Sequence, residues 1–213
     1  SMWQYKGFFI SGIEYTMIIS VVSVFFGIIL GVIFALMRLS HNWLLHTIAV
    51  CYIEFIRGTP QLVQIMFIYF GLGTIVNVPA LTSGIIAISI NSGAYVAEII
   101  RGGINSISDG QIEAALSLGL SKHQSMKYIV LPQAFKNIWP ALGNELVTLI
   151  KDSSLASVIG VGELMYQMRA VQADTYQGVA PIAVIMVIYF VITFTISRIM
   201  KHLEGKISHG TND

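Results

Sequence analysis

The amino-acid sequence predicts an all-α, polytopic membrane protein with five transmembrane helices. Of its 213 residues, 55% are hydrophobic and only 11% are charged, whereas soluble domains average roughly 25% charged residues. Long uncharged stretches recur along the chain with short polar segments between them, as expected of helices that cross a bilayer. We therefore expect a single transmembrane domain over residues 1–213.

The composition also excludes several classes of function. A formal net charge of +1 provides no basic surface for nucleic acid. Cys51 is the only cysteine, which excludes an internal disulfide and a cysteine-based metal site. The sequence has no phosphate-binding glycine loop, zinc-ligand spacing or nucleophile motif. We expect no enzyme activity, no metal site and no cofactor bound by this chain.

The first predicted span covers residues 13–38. Residues 18–37 are twenty uncharged residues, enough at 1.5 Å per residue to cross a hydrocarbon core of about 30 Å. Gly27 and Gly31 lie one helical turn apart within it. They either let a neighbouring helix pack closely or are simply tolerated in a membrane helix.

The second predicted span, residues 44–72, is an interrupted helix. Glu54 and Arg57 lie three residues apart on one helical face and can pair, which lets charges lie at membrane depth. Pro60 suits the first turn of a new helix and biases Thr59 away from helical geometry. The break exposes backbone groups, so it either lies on a substrate path or is a kink that only shapes packing.

The third predicted span, residues 79–101, is polar in its second half. Asn91 and Tyr95 lie there among small residues, which a helix facing lipid would not favour. We expect these two side chains to face protein or a cavity. Glu98 and Arg101, about one turn apart, are expected to form a structural pair near the membrane surface.

The fourth predicted span, residues 133–152, contains acidic side chains. Glu145 lies in mid-span, where an acid is costly and usually has a partner or a ligand. Lys151 and Asp152 are adjacent at the end of the span, so they point about 100° apart on a helix. The small, polar residues 153–157 are expected to form irregular backbone at membrane depth.

A polar segment at residues 108–132 predicts two short helices joined at a glycine. The pattern Ser-x-x-Gln begins at Ser108 and again at Ser121, and each copy predicts a capping box at a helix start. Gly119 is placed to end the first helix in the left-handed conformation. Pro132 is expected to close the second helix because it has no N–H to donate.

The first of these helices is expected to expose Ala114, Ala115 and Leu118 at one-turn spacing. Small side chains there would let another protein approach the backbone closely, so the segment predicts a docking surface; the alternative is a plain linker between two spans. A polar rim is expected around it, made of Glu113, Lys122, His123 and Lys127.

Several motifs resemble those of ABC importer permeases. Glu113-Ala114-Ala115, Gly119 and residues 129–132 are similar to the cytoplasmic loop in which a short coupling helix sits in a groove of the ATPase subunit. Three further stretches, residues 57–64, 94–103 and 151–155, resemble signatures of the polar amino acid branch. Together the resemblance covers nearly the whole chain and implies the type I, MetI-like permease fold.

The resemblance also implies roles for individual residues. Asp152 would accept the ammonium of an amino acid; the alternative is that it only pairs with Lys151 or with that residue's neighbours across the bundle. Ser153 stands where the family signature has threonine, and Ala180 and Pro181 stand where many relatives carry a glutamate. The implied substrate contacts are Thr59, Asn91, Tyr95, Asp152, Ser153 and Ser154. The implied ATPase-coupling residues are Glu113, Ala114, Ala115, Leu118, Gly119 and Leu120.

A fifth predicted span, residues 175–200, completes the topology. With the polar segment inside the cell, eight cations lie on the cytoplasmic side against two outside, which satisfies the positive-inside tendency. The N-terminus is then outside and the C-terminus inside a bacterial cell membrane. The cytoplasmic cations are Arg38, Arg101, Lys122, Lys127, Lys136, Arg198, Lys201 and Lys206, and the external ones are Lys6 and Arg169.

The function implied is that of a permease subunit importing a polar amino acid. Its expected partners are the lipid bilayer, a dimer of ATPase subunits that holds ATP and Mg, and an extracellular or lipid-anchored binding protein. The permease itself is expected to be a homodimer or a heterodimer with a related chain. The alternatives are an ATP-independent channel or secondary carrier, and a scaffold subunit that binds an ATPase without transporting.

Overall fold

The computed structural model describes residues 2–209, so Ser1 and residues 210–213 of the predicted domain lie outside the described residues. The described chain is a bundle of α-helices linked by short turns. The helices are α1 Lys6–Arg38, α2 Trp43–Gly58, α3 Gln61–Gly73, α4 Ala80–Asn105, α5 Asp109–Ser117, α6 Lys122–Ser125, α7 Leu131–Asp152, α8 Leu164–Thr175 and α9 Val179–His209.

The centre of the bundle is the close parallel packing of α1 on α4. A Cβ added at Gly27 would lie 2.7 Å from Ser92 Oγ, and one added at Gly31 would lie 2.4 Å from Val96 Cγ1. Since contacts advance in the same direction along both helices, α1 and α4 run parallel. The two glycines are therefore packing residues, the first of the two interpretations that the sequence left open.

The predicted break in the helix at Thr59 and Pro60 is present. Helix α2 ends at Gly58 and α3 starts at Gln61, with Thr59 and Pro60 in extended conformation between them. Gln64 covers part of the exposed backbone, because its Nε2 donates to the carbonyl oxygens of Ile56 at 2.8 Å and Thr59 at 3.1 Å. The break therefore stays folded at depth without leaving these acceptors unpaired.

Pro132 does not close a helix, so that prediction is wrong. Helix α6 continues through a π turn at Met126–Val130 directly into α7, and Pro132 lies in the first turn of α7. In the π turn the N–H of Leu131 bonds to the oxygen of Met126, five residues back. Proline fits at a helix start because the first-turn N–H groups have no partner within that helix.

The chain after Asp152 leaves the α-helix, as expected, but it forms a regular 3₁₀ turn at Ser153–Ile159. Gly160, with φ of 89°, ends this turn. The turn is covered by protein, since Ser153, Ala156 and Ile159 are buried. Helix α8 then packs its apolar side between the first half of α1 and the start of α9.

Three helical segments within residues 2–209 are long and apolar enough to cross a membrane by length and composition. They are Met2–Arg38, Ala80–Asn105 and Val179–Ile207, with Gln61–Gly73 as a shorter apolar helix. The chain is thus a multi-pass membrane protein with all-α architecture. The count of five spans stays a prediction, because α2, α3 and α7 do not meet that measure by themselves.

Candidate functional site

A small polar cavity lies where the α2–α3 break, α4 and α7 meet. Its volume is about 180 Å³, and most of the side chains around it can form hydrogen bonds. They come from three stretches of sequence that only the packing of these helices brings together. The cavity is lined by Thr59, Gln61, Asn91, Tyr95, Glu145, Thr148, Leu149 and Asp152.

Gln64 holds two of these side chains in place. Its Oε1 accepts a hydrogen bond from Asn91 Nδ2 at 2.9 Å, and its Nε2 donates to Thr59 Oγ1 at 2.8 Å. Thr59 Oγ1 in turn donates to the Phe55 oxygen at 3.0 Å. The buried side-chain amide of Gln64 therefore links the α2–α3 break to α4 by hydrogen bonds. The sequence alone does not reveal this role of Gln64; the available signal is its place in the motif at residues 57–64, one turn beyond Pro60.

Two carboxylates face the cavity from α7. Glu145 and Asp152 are seven residues apart, so they lie on the same side of the helix, and both line the cavity. Ser92 Oγ donates to Glu145 Oε1 at 2.8 Å. The sequence identified Glu145 as an acid in need of a partner but did not place it in the site; its spacing from Asp152 was the available signal.

The predicted alternative for Asp152, an ion pair with Lys151, is absent from the described residues. Lys151 lines a different cavity of about 620 Å³, between α8, α9 and the end of α7. Adjacent side chains on a helix point about 100° apart. Asp152 consequently faces the polar cavity, whereas Lys151 faces away from it.

Ser153 and Ser154 do not line the polar cavity, so the structure does not place these two predicted contacts with the other four. Ser153 is buried, and its Oγ donates to the Ile150 oxygen at 2.7 Å. Ser154 lines the larger cavity beside Lys151. In a 3₁₀ turn successive side chains point about 120° apart. Of residues 152–154, only Asp152 therefore faces the polar cavity.

A cluster of charges lies beside the cavity. Glu98 contacts Arg101 at 2.9 Å, Arg38 at 3.4 Å and Arg57 at 3.7 Å. The expected Glu98–Arg101 pair is present, and the additional arginines join the ends of α1 and α2 to α4. The guanidinium of Arg57 also lies 5.5 Å from the ring centroid of Tyr95, a cavity residue.

The pair that the sequence allowed between Glu54 and Arg57 does not form in the described residues. Glu54 lies 3.8 Å from Arg38 instead, and Arg57 turns toward Glu98. Spacing on one helix could not reveal this arrangement, because the preferred partners come from α1 and α4. Glu54 keeps 66% of its side chain exposed, so its ion pair contributes little stability.

The first helix of the polar segment, α5, ends as predicted at Gly119. Gly119 has φ of 86°, its N–H bonds to the Leu116 oxygen, and the Leu120 N–H bonds to the Ala115 oxygen. These two bonds form a complete Schellman motif. They fix the turn that follows α5, with Leu118 82% exposed at the end of the helix.

Exposure of the predicted docking residues is mixed. Glu113, Ala114, Leu118 and Gly119 are exposed, but Ala115 is only 4% exposed. The prediction of an exposed Ala115 is therefore wrong. Helix α5 packs back on residues 122–130, which covers this face of the helix.

One of the two predicted capping boxes forms. Ser121 Oγ accepts from Gln124 N at 3.2 Å, and Gln124 Oε1 accepts from Ser121 N at 2.8 Å. Ser108 makes no side-chain cap; the Gln111 N–H bonds to the Ser108 backbone oxygen at 3.0 Å, and Gln111 Oε1 accepts from Gln133 Nε2 at 3.2 Å. That bond joins α5 to the first turn of α7.

A buried acid outside the predicted spans caps α8. Glu163 accepts hydrogen bonds from the N–H groups of Met165 and Tyr166, each at 2.8 Å, and from Tyr189 Oη at 3.0 Å. Burial raises the pKa of Glu163, and these hydrogen bonds act in the opposite direction. The residue holds α8 against α9 and lies apart from the polar cavity.

Comparison with known proteins identifies relatives that are all membrane components of transport systems. Residues 27–209 match the family described as binding-protein-dependent transport system inner membrane component. The arginine transport system permease protein ArtQ of Bacillus subtilis (strain 168) is 41% identical over 202 residues, 94% of this chain and 92% of that protein. The glutamine transport system permease protein GlnP of Escherichia coli (strain K12) is 38% identical over 210 residues, 97% of this chain and 96% of that one.

Solved structures agree with these relatives. The crystal structure of an amino acid ABC transporter with histidines has a chain 45% identical to this one, with a TM-score of 0.93 and 97% of each chain covered. An inward-facing MetNI methionine ABC transporter shares the fold, with a TM-score of 0.82 at 18% identity, covering 95% of this chain and 97% of that one.

Proposed function

The chain belongs to the family of binding-protein-dependent transport system inner membrane components, and on that premise we propose that it passes a polar amino acid through the cavity beside the α2–α3 break. It is a membrane permease subunit of an amino acid ABC importer with the type I, MetI-like fold. It is not an enzyme, because ATP hydrolysis belongs to a separate subunit. An ATP-independent channel or carrier is not favoured by this family membership.

The proposed site is supported by the convergence of residues from distant parts of the chain on one cavity. Thr59, the pair Asn91 and Tyr95, and Asp152 come from three separate stretches of sequence and line one cavity of about 180 Å³. An amino acid presents an ammonium and a carboxylate, so its site needs both acceptors and donors. Asp152 and the amide oxygen of Asn91 are acceptors, and the hydroxyl of Tyr95 can donate.

The coupling step is assigned to the exposed end of α5. We infer that Glu113, Ala114, Leu118 and Gly119 contact a groove of the ATPase subunit, with Leu120 and the buried Ala115 holding the turn in shape. ATP and Mg belong to that partner. Because ATP would favour the closed ATPase dimer, closure would draw two such helices together and shift the permease between two states.

Two copies of this chain, or this chain and a relative, would complete the assembly, and an extracellular or lipid-anchored binding protein would deliver the substrate. We place the assembly in a bacterial inner membrane, with the N-terminus outside and the C-terminus cytoplasmic. The excess of cations on the side of α5 supports this orientation. The candidate substrates are basic, amide and acidic amino acids and cystine.

The test is ATP-dependent uptake into proteoliposomes that contain this chain, its ATPase and its binding protein. Glu113→Lys changes the exposed rim of α5 and is expected to abolish uptake while the complex remains intact. Glu14→Lys, the same charge reversal at an exposed acid near the start of α1, is the matched control and should retain uptake. Uptake that continues without the ATPase would replace the importer by a carrier. Retained ATPase binding with no transport of any amino acid would indicate a scaffold.

A further inference from the structure

We propose that the amino acid carried through this cavity is a basic one, and that Glu145 contacts it together with Asp152. This inference rests on the proposed function, since it concerns the substrate class of the same cavity. It differs from the resemblance, which implied Asp152 alone as the acidic contact. It is based on the presence of a second carboxylate, that of Glu145, on the wall of the cavity.

The two carboxylates offer separate acceptors to a ligand that carries two cations. Seven residues of α-helix rise about 10.5 Å and bring Glu145 and Asp152 back to nearly the same side of α7. Lysine and arginine carry an α-ammonium at one end and a side-chain cation at the other. A neutral amino acid has only the first of these groups, so it would leave one carboxylate without a partner.

Among the described residues neither acid forms a direct ion pair, and the charge of the adjacent Lys151 acts on Asp152 only through space. Within residues 2–209 no ion pair involves Glu145 or Asp152, because Lys151 faces the other cavity and Arg57 contacts Glu98. The Ser92 hydroxyl is the hydrogen-bond partner of Glu145, and no hydrogen bond to Asp152 is present in this part of the chain. Unpaired carboxylates at membrane depth cost free energy that a cationic ligand would offset.

Other groups on the wall match the remaining parts of such a ligand. Asn91 is only 6% exposed; it donates Nδ2 to Gln64, while its Oδ1 has no hydrogen bond among the described residues. Gln61 Nε2 is buried and likewise has no partner within residues 2–209. Oδ1 can accept from an ammonium, and Nε2 can donate to the single carboxylate of the amino acid.

The size of the cavity suits a small ligand such as a single amino acid. Its volume of about 180 Å³ is roughly six times the share of one liquid water molecule, about 30 Å³. One basic amino acid therefore satisfies the volume, the two carboxylates, the free acceptor and the free donor together.

The experiment measures equilibrium binding of radiolabelled L-lysine, L-arginine and L-glutamine to the purified complex of this chain with its ATPase. We expect both basic amino acids to bind at least tenfold more tightly than L-glutamine. Glu145→Gln, which keeps the shape and the Ser92 contact, should weaken L-lysine binding by about tenfold and leave L-glutamine binding unchanged. Glu14→Gln, the same change on an exposed surface, should alter neither.

Equal binding of L-glutamine and L-lysine, or unchanged selectivity in Glu145→Gln, would overturn the assignment of a basic substrate. ATP-dependent uptake of L-glutamine alone would do the same while the importer function stands. Absence of uptake for every amino acid would refute the proposed function itself. Asp152→Asn is the second variant: if Glu145→Gln fails to assemble, unchanged L-lysine selectivity in Asp152→Asn contradicts the proposal.

Discussion

The packing of α1 on α4 predicts that an alanine at position 31 destabilises the fold. A Cβ there would lie 2.4 Å from Val96 Cγ1, 2.6 Å from Val96 Cβ and 3.1 Å from the Ala97 nitrogen. Ordinary contact begins near 3.4 Å, so the shortest of these distances would have to grow by 1.0 Å (3.4 minus 2.4). Val96 cannot turn aside easily, because a β-branched side chain in a helix has one strongly preferred rotamer.

The expected magnitude follows from overpacking. Inserting a methyl group into a tight core costs about 1–3 kcal/mol, and for a chain of this size each kcal/mol shifts Tm by about 2–4 °C. Gly31→Ala should therefore lower the Tm of the detergent-solubilised protein by about 2–12 °C. The assay is thermal unfolding followed by the loss of monodisperse protein on size-exclusion chromatography.

The matched control is Gly102→Ala on α4, where an added Cβ meets no atom within 4 Å. That variant should keep or slightly raise Tm, since alanine favours the helix by roughly 0.5–1 kcal/mol. The double variant Gly31→Ala with Val96→Gly removes the clashing side chain and should recover part of the loss relative to the sum of the single variants. Equal Tm values for Gly31→Ala and Gly102→Ala would refute the packing argument.

Three further predictions concern other parts of the fold. Gly119→Ala should lower stability by about 1–2 kcal/mol and weaken ATP-driven uptake, because φ of 86° is left-handed. Gln64→Met should lower stability by about 1–3 kcal/mol and reduce uptake, since Asn91 and Thr59 lose their partner. Glu163→Gln should flatten the pH dependence of Tm. Burial raises the pKa of Glu163 in the folded protein, so this residue makes the fold less stable as pH rises above the ordinary pKa of 4.5. Glutamine does not titrate and removes that contribution.

Each of these changes has its own check. Gly110→Ala, on the same helix α5 but with an ordinary φ, should not reduce uptake; equal losses for both glycines would contradict the Schellman argument. The control for Gln64→Met is Gln177→Met, which alters an exposed glutamine and should leave Tm unchanged. If Gln64→Met also leaves Tm unchanged, the hydrogen bonds of the Gln64 amide contribute nothing to stability. For Glu163, the same pH dependence of Tm in wild type and Glu163→Gln between pH 4 and 8 would contradict the assignment.

Local chemistry made much of this protein predictable from its sequence. Pro60 disfavours helix at the residue before it, so the break in the second span could be located in advance. Gly119 ends α5 because glycine adopts positive φ with little strain. Uncharged stretches indicated a membrane protein because the hydrocarbon core selects against charge. Each of these features depends on a residue and its near neighbours in the chain.

The site required more than local chemistry. The resemblance implied Asp152 as a contact but left open that it only pairs with Lys151 or that residue's neighbours, and the packing of α7 places Asp152 on the polar cavity and Lys151 on another. The same packing turns Ser153 and Ser154 away. Gln64 became a site-positioning residue because α3 brings it to Asn91, 27 positions later in the chain.

The sequence by itself determined the all-α membrane class, the interrupted span and the left-handed turn after α5, because these follow from hydrophobicity and backbone preference within a few residues. The tertiary structure alone decided that Ala115 is buried and that Glu98 contacts three arginines. It also decided that Ser92 donates a hydrogen bond to Glu145, 53 residues away. Such contacts depend on how helices from distant parts of the chain pack, and the order of residues in any one helix does not specify its neighbours.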